Sequence, residues 1–344
     1  MSTPMRVVQI GVGGFGGRRR QLMRETGLFQ LVACTDFNAE AMAAAQREDG
    51  AAPCAGYEQL LATPGIEGVV ISTGARDHAA QIIAAMERGL HVFTEKPLCS
   101  SAAEVAALLA CRRRFPKQVI GIGHNPHDHL ASSTSLKRAI DAGDLGKIVA
   151  IEKTTGHSGG FHIKPGDWRG DPAKNPGGML FQCGVHAFHE LMYLFGPIVS
   201  VQSSMRYDVH TTQTADAAQC LVQFASGLIG TVSAYHVIPY RHHLTIYGTK
   251  ANLYRDDRYG TVGTQALIQR GRLDGGFEEH EPFPITGEDD ATAGLRAWHA
   301  AVRRGSDQGL YPGLLDGARA VNVVFAAEES AKTGARVAIP PIAS

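Results

Sequence analysis

Through the first 125 residues, short apolar runs alternate with stretches whose apolar positions recur at helical spacing. Val7–Ile10 reads as a strand, followed by a helix over about 14–25, a second strand Leu28–Thr35 and a helix Ala39–Gln46. Gly68–Thr73 is a continuous apolar run of the kind found in a sheet covered on both faces. In the next helix, Asp77–Arg88, Ile82 and Met86 lie four apart, and Gly89 stands where a left-handed residue stops the last turn. His91–Thr94 is a further strand. Ser101 and Glu104 have the spacing of a capping box, opening a helix that runs to Arg114 ahead of Pro116, and Gln118–Gly123 is one more buried strand. Strands alternating with helices of this length predict a doubly wound parallel sheet.

The pattern changes after His124. A helix over Ser132–Asp141, a turn at Gly143–Gly146 and a strand Lys147–Thr155 lead into a polar, glycine-rich stretch ending near Gly178. Strand candidates then follow with turns between them: Val199–Met205, Ala217–Phe224, Gly230–His236, Leu244–Tyr247 and Ala266–Gln269. Helices over Thr292–Arg303 and Leu314–Lys332 close the chain. The expected architecture is α/β: a dinucleotide-binding Rossmann domain over 1–125, then an α/β domain over 126–344 with a large open, mainly antiparallel sheet. A sheet with one uncovered face predicts self-association, as a homodimer or homotetramer.

Composition narrows the class. At 344 residues the chain has the length of two domains of ~100–200 residues each. Hydrophobic residues make up 44% and charged residues 19%, a folded rather than disordered balance. Lys and Arg total 33, as do Asp and Glu, and no basic block marks a nucleic-acid partner. The first apolar run is too short for a signal core or a membrane span, so a soluble, cytoplasmic protein is expected. The six cysteines are scattered without C-x-x-C spacing and read as reduced thiols, most of them buried.

Glycine is over-represented, at 40 residues, and part of the excess has a chemical reading. Gly11-Val-Gly13-Gly14-Phe15-Gly16 places glycines at the first, third and sixth positions between a strand and a helix. There a pyrophosphate can approach backbone amides at a helix amino terminus, and a side chain at Gly11 or Gly13 would hold it off. Asp36 ends the second strand 25 positions after Gly11, near the ~20-residue spacing of a ribose-binding acid. Its charge opposes a 2′-phosphate, and neither Phe37 nor Asn38 can neutralise one, so NAD is expected over NADP. Arg18, Arg19 and Arg20 point in three directions around the helix and read as a mostly solvated run.

Lys96 follows directly on the strand His91–Thr94 in the sequence Glu95-Lys96-Pro97, at the carboxyl edge of the parallel sheet, where ligands of such folds bind. Together with the glycine loop, Asp36, Ser72–His78, Trp168-Arg169 and Gly177–His186, it resembles the glucose-fructose oxidoreductase / inositol dehydrogenase / rhizopine-catabolism (Gfo/Idh/MocA) family over nearly the whole chain. The resemblance implies an NAD(P)-dependent dehydrogenase acting on a secondary hydroxyl of a sugar, sugar derivative or cyclitol. By it, Lys96 would hydrogen-bond the reacting hydroxyl and His186 would remove its proton. It further implies cofactor contacts from Gly11, Gly13, Gly14, Phe15, Gly16, Asp36, Ser72, Thr73, Gly74, His78, Glu95, Lys96, Asn125, Trp168 and Arg169.

Two positions depart from the family pattern. Gln182 stands where an acid is usual, four residues before His186, and can orient a group but not take a proton. Gly74-Ala75 replaces the usual Pro-Asn, although His78 keeps its spacing. On an α-helix Gln182, His186, His189 and Glu190 would share a face. Besides Lys96 and His186, candidate substrate contacts are His157, His162, Lys164, Asp167, Trp168, Arg169 and His189. The histidine clusters His124/His127/His129 and His186/His189 lack established zinc-ligand spacing, and no metal is expected.

Two other functions fit the same residues. A glycoside hydrolase or lyase could oxidise a sugar carbon transiently with NAD, and would release an aglycone without accumulating NADH. A dinucleotide-sensing regulator would bind NAD and turn nothing over, against which the presence of Lys96 and His186 speaks.

Overall fold

The computed structural model describes residues 3–210, 212–258, 263–272, 275–276 and 278–342. The first elements are β1 (Met5–Ile10), α1 (Gly14–Thr26), β2 (Phe29–Thr35), α2 (Ala39–Asp49), β3 (Ala52–Pro53), α3 (Tyr57–Leu61), β4 (Gly68–Ile71), α4 (Ala75–Glu87), β5 (His91–Thr94), α5 (Ala102–Arg114) and β6 (Ile120–Ile122). Then come α6 (Ala131–Ala142), β7 (Ile148–Gly156), α7 (Val185–Phe195), β8 (Ile198–Arg206), β9 (Ala217–Phe224), β10 (Ile229–Tyr235), β11 (Arg241–Gly248), β12 (Ala251–Arg258), β13 (Gly263–Arg270) and β14 (Glu281–Pro282). Finally α8 (Ala293–Arg304), α9 (Leu314–Thr333) and β15 (Val337–Ala338) end the chain.

Two compact units result: Met1–Pro126 with Asp290–Ala318, and His127–Asp289 with Arg319–Ser344. The continuous second domain expected over 126–344 is therefore interrupted, because α8 belongs to the first unit. Its Leu295, Trp298, Ala301 and Val302 form one buried stripe. Trp298 is fully buried, stacks on Phe29 at 5.6 Å between centroids and lies at the same distance from Phe93. Ser101 does cap α5, accepting from the Glu104 N–H at 3.2 Å, while the Glu104 carboxylate reaches back to the Ser100 N–H at 2.7 Å, one residue earlier than a capping box requires.

Among the described residues, the first unit's sheet has the order β3-β2-β1-β4-β5-β6, and all its pairs are parallel. Strand order reverses between β1 and β4, and ligands of such sheets bind at the carboxyl ends around that switch point. The loops after β1, β4 and β5 carry Gly11–Gly16, Ser72–Gly74 and Glu95–Pro97 respectively.

Among the described residues of the second unit, nine strands run in the order β14-β13-β12-β11-β7-β10-β9-β8-β15. All neighbours pair antiparallel except β7 with β10, which are parallel. One face is covered by helices: Phe195 of α7 meets Phe224 edge-on at 5.9 Å, and the Ser203 N–H donates to Ser330 Oγ of α9 at 2.9 Å. The other face carries a cross-strand row of Leu221, Thr231, Glu152, Thr245, Tyr254 and Leu267, of which Leu221 and Leu267 are about two-fifths exposed. Cys34, Cys99, Cys111 and Cys220 are buried thiols, and burial pushes the Cys99 and Cys220 pKa values up to about 12. No described helix is long and apolar enough to cross a membrane.

Candidate functional site

The glycine loop is built for close backbone approach. Gly11 has φ +78°, and a Cβ on it would lie 2.5 Å from the Ser72 carbonyl oxygen. A Cβ on Gly16 would lie 2.1 Å from the Gly11 carbonyl oxygen, so only glycine lets α1 pack on β1 here. Gln9 of β1 braces the loop, its Nε2 donating to the carbonyls of Gly11 at 2.8 Å and Gly16 at 3.0 Å. The amino terminus of α1 has Gly13 at its cap position and no side-chain cap, and a Cβ on Gly14 would meet nothing within 4 Å. A helix amino terminus without a side-chain cap, with the helix dipole behind it, suits a pyrophosphate.

Asp36 stands at the mouth of this loop. Its Oδ2 accepts from the N–H groups of Val12 at 2.7 Å and Gly13 at 3.1 Å, and its Oδ1 from the Asn38 N–H at 2.8 Å. Asn38 in turn caps α2, and no basic side chain replaces it there. The fixed carboxylate fits a ribose diol and opposes a 2′-phosphate. The residues present therefore fit NAD.

Two expected cofactor contacts have a different place. His78 is fully buried, with Nδ1 2.8 Å from the Pro97 carbonyl oxygen and Nε2 3.0 Å from that of Thr73. It offers a ligand no surface; it ties the loop after β4 to the turn that carries Lys96. Burial lowers its pKa, against the two carbonyls, which favour the charged form. Glu95 is 6% exposed and pairs with Arg19 at 2.7 Å, so it too faces inward. The solvated arginine run expected at 18–20 is likewise corrected: Arg19 is buried on Glu95, and Arg20 is buried between Glu48 and Asp49. Only Arg18 of the three is exposed. Ser72, Thr73 and Lys96 are partly exposed, while Phe15, Gly74 and Asn125 are exposed.

The second unit carries the remaining candidates. His186 lies in the first turn of α7 and is partly exposed. Gln182 falls in a π-helical turn, Leu180–Gly184, so the α-helical spacing that would align it with His186 does not hold. His189 and Glu190 dive into the interior instead of sharing an open face. His189 is 2% exposed against the His127 ring, 5.1 Å away, and is thereby removed from the substrate contacts. Burial first, then neighbouring His127, holds its pKa well below the usual value.

Glu190 is the hub of a buried charge network that sequence reading missed. Lys153 of β7 reaches it at 2.8 Å and Arg255 of β12 grips both its oxygens, with Arg255 also 3.1 Å from Asp257. Burial would raise the Glu190 pKa, but Arg255 and Lys153 outweigh it and hold the carboxyl well below its usual range. The signal was present in the strand alternation: Lys153 falls in phase with inward Ile151 and Thr155, and Arg255 with Leu253.

Among the loop candidates, Lys164 and Asp167 line a cavity of about 330 Å³ with Asp171, Lys174, Thr212 and Gln213, within the size range of small-molecule sites. Arg169 stacks over Trp168 at 4.5 Å, and its carbonyl accepts from Asn175 Nδ2 at 2.7 Å and Thr214 Oγ1 at 3.0 Å. His157 Nδ1 accepts the Gly159 N–H at 2.9 Å and its Nε2 lies 3.5 Å from Cys183 Sγ, a contact not foreseen. His162 is exposed. His127 bonds Ser133 Oγ at 2.8 Å, and no described group of three or more His, Cys, Asp or Glu residues could hold a metal.

A glycine loop at the switch point of a 3-2-1-4-5-6 parallel sheet, with an acid after β2, defines a dinucleotide-binding protein of the Rossmann class. Residues 5–124 match the family described as "Oxidoreductase family, NAD-binding Rossmann fold", and residues 134–254 match the Gfo/Idh/MocA C-terminal domain. The chain belongs to the Gfo/Idh/MocA family of NAD-binding oxidoreductases. It is 30% identical over 203 residues to scyllo-inositol 2-dehydrogenase (NAD(+)) of Bacillus subtilis, a match spanning 57% of this chain and 57% of that protein. It is 28% identical over 326 residues to dTDP-3,4-didehydro-2,6-dideoxy-alpha-D-glucose 3-reductase of Streptomyces violaceoruber, covering 89% and 90% of the two. The solved structure of levoglucosan dehydrogenase in complex with NADH shares the fold, with a TM-score of 0.82, 21% identity and coverage of 99% of this chain and 100% of that one.

Proposed function

We propose that this protein is an NAD-dependent dehydrogenase that oxidises a secondary hydroxyl of a sugar, sugar derivative or cyclitol, with Lys96 and His186 acting on the reacting hydroxyl. The observation that carries the reading is the position of Lys96: directly past β5, beside the switch point, on a turn that His78 braces through the Pro97 carbonyl. The chemistry NAD supplies when bound is acceptance of hydride from the carbinol carbon. The loop amides at the start of α1 and the carboxylate of Asp36 would hold it. The Lys96 ammonium donates to the substrate oxygen and stabilises the alkoxide that develops there. His186 takes the hydroxyl proton at its ring nitrogen as general base. Gln182 has no proton to exchange and serves only to orient. The names of the relatives, an inositol dehydrogenase and a deoxysugar reductase, support a polyol or sugar substrate.

The test is turnover of His186→Ala against a panel of cyclitols and sugars, followed at the reduced nicotinamide band. We expect a loss of roughly 10²–10⁴-fold in kcat with NADH affinity retained. Full activity in that variant would remove His186 as the base. The uncovered sheet face further supports self-association through Leu221 and Leu267. Light scattering should give a multiple of the chain mass that falls to one chain in Leu221→Glu/Leu267→Glu; a wild-type monomer contradicts it.

A further inference from the structure

One side chain of the first unit touches the glycine loop, β5 and the residue before Lys96 at once. Arg19, in the second turn of α1, is 5% exposed and donates from Nε to Glu95 Oε1 at 2.7 Å. Its guanidinium carbon lies 4.7 Å from the ring centroid of Phe93 in β5 and 5.7 Å from that of Phe15 in the glycine loop. Phe15 is 60% exposed, on the side of the loop that faces solvent, and Glu95 is the residue immediately before Lys96.

Glu95 is placed from several directions. Its N–H donates to the Ile71 carbonyl of β4 at 2.8 Å. Its Oε2 lies where a Cβ on Gly123 would come within 2.5 Å, so glycine after β6 leaves the space the carboxylate fills. Packed apolar side chains of similar volume would fill such a space at least as stably, because a buried ion pair loses in desolvation much of what it gains in attraction. Stability alone therefore does not account for charges at these two positions, whereas a directional link between the loop and the turn does.

We propose that Arg19 and Glu95 are a positioning pair that couples the seating of the glycine loop to the orientation of the Lys96 turn. Occupancy of the loop and presentation of the Lys96 amine then change together. By reciprocity, whatever fixes one favours the other. The functional meaning rests on the role proposed for Lys96, but the coupling is measurable without any substrate.

The probe is ADP-ribose, which fills the adenosine and pyrophosphate positions and lacks the pyridine ring. Its affinity is measured by calorimetry, and the acetylation rate of Lys96 by acetic anhydride is read by peptide mass spectrometry with and without it. In the unaltered protein ADP-ribose changes the Lys96 rate. In Arg19→Met the affinity falls roughly fivefold or more and the change in rate disappears. Arg19→Lys restores part of both. The double variant Arg19→Met/Glu95→Gln has no buried unpaired charge and melts near the parent temperature, yet stays uncoupled.

A double variant with parental affinity and a parental change in Lys96 rate would make the pair a neutral filler and overturn the proposal. So would an unaltered protein whose Lys96 rate ignores bound ADP-ribose, or one that does not bind it. Coupling that behaves as expected in a protein that reduces NAD with no polyol would uphold the pair and remove the dehydrogenase reading instead.

Discussion

Asp36 shows what a single residue contributes to cofactor choice. One oxygen is held by two loop N–H groups and the other by the Asn38 N–H, so the negative charge is fixed where an adenosine ribose would lie. Asp36→Ala should weaken NADH binding by about tenfold, the loss of about one charged hydrogen bond. It should also narrow the preference over NADPH, because the repulsion of a 2′-phosphate goes with it. Fluorescence titration with both nucleotides measures the two effects, and an unchanged ratio would remove Asp36 as the discriminator. The position of this acid was legible from its spacing to the glycine loop. The inward turn of Glu95 was not: a charged residue beside Lys96 looks alike in sequence whether it faces a ligand or a guanidinium 76 positions away.

At the scale of elements, α7 carries His186 at one end and is clamped to the sheet one turn later through Glu190. The two cations come from β7 and β12, which flank β11 in the sheet. Replacing Glu190 with Gln leaves Lys153 buried without its counter-charge and Arg255 with Asp257 alone, which costs about 3–5 kcal/mol. Urea denaturation should show that loss as a lower midpoint, and a midpoint equal to that of the parent would mean the clamp carries no stability. The helix was legible only as a shared face for Gln182, His186, His189 and Glu190, and α7 was not among the elements predicted from apolar spacing. Its π-helical entry was not legible, since Leu180–Gly184 has no residue that forbids an ordinary α-turn. The missed strand β12 has a related cause: its Arg255 is an inward charge that breaks the expected apolar alternation.

For the whole molecule, the buried histidines set the response to acid. Burial is the main cause that lowers the pKa values of His127, His236 and His242 to about 4 in the second unit. In the unfolded chain each takes a proton near ~6.5. Between those values the unfolded state binds more protons, so stability is complete above about pH 6.5 and falls as pH drops toward 4. His127, 3% exposed, contributes a slope of roughly 1.4 kcal/mol per pH unit. Glu190 adds to the loss only below its unfolded value of ~4.3, as its depressed pKa is approached. Urea midpoints from pH 7.5 to 4.5 should fall steadily, with a shallower fall in His127→Gln; a flat profile contradicts the assignment. The sequence by itself determined the α/β order, the nucleotide loop with its acid and the family, because these depend on short-range periodicity and on spacings within one βαβ unit. Only the tertiary structure decided that α8 returns to the first sheet, that His78 and Glu95 face inward, and that Lys153, Glu190 and Arg255 meet. Most of those contacts join residues dozens of positions apart, and which partner an inward charge meets is settled by what packs against it, which no local pattern records.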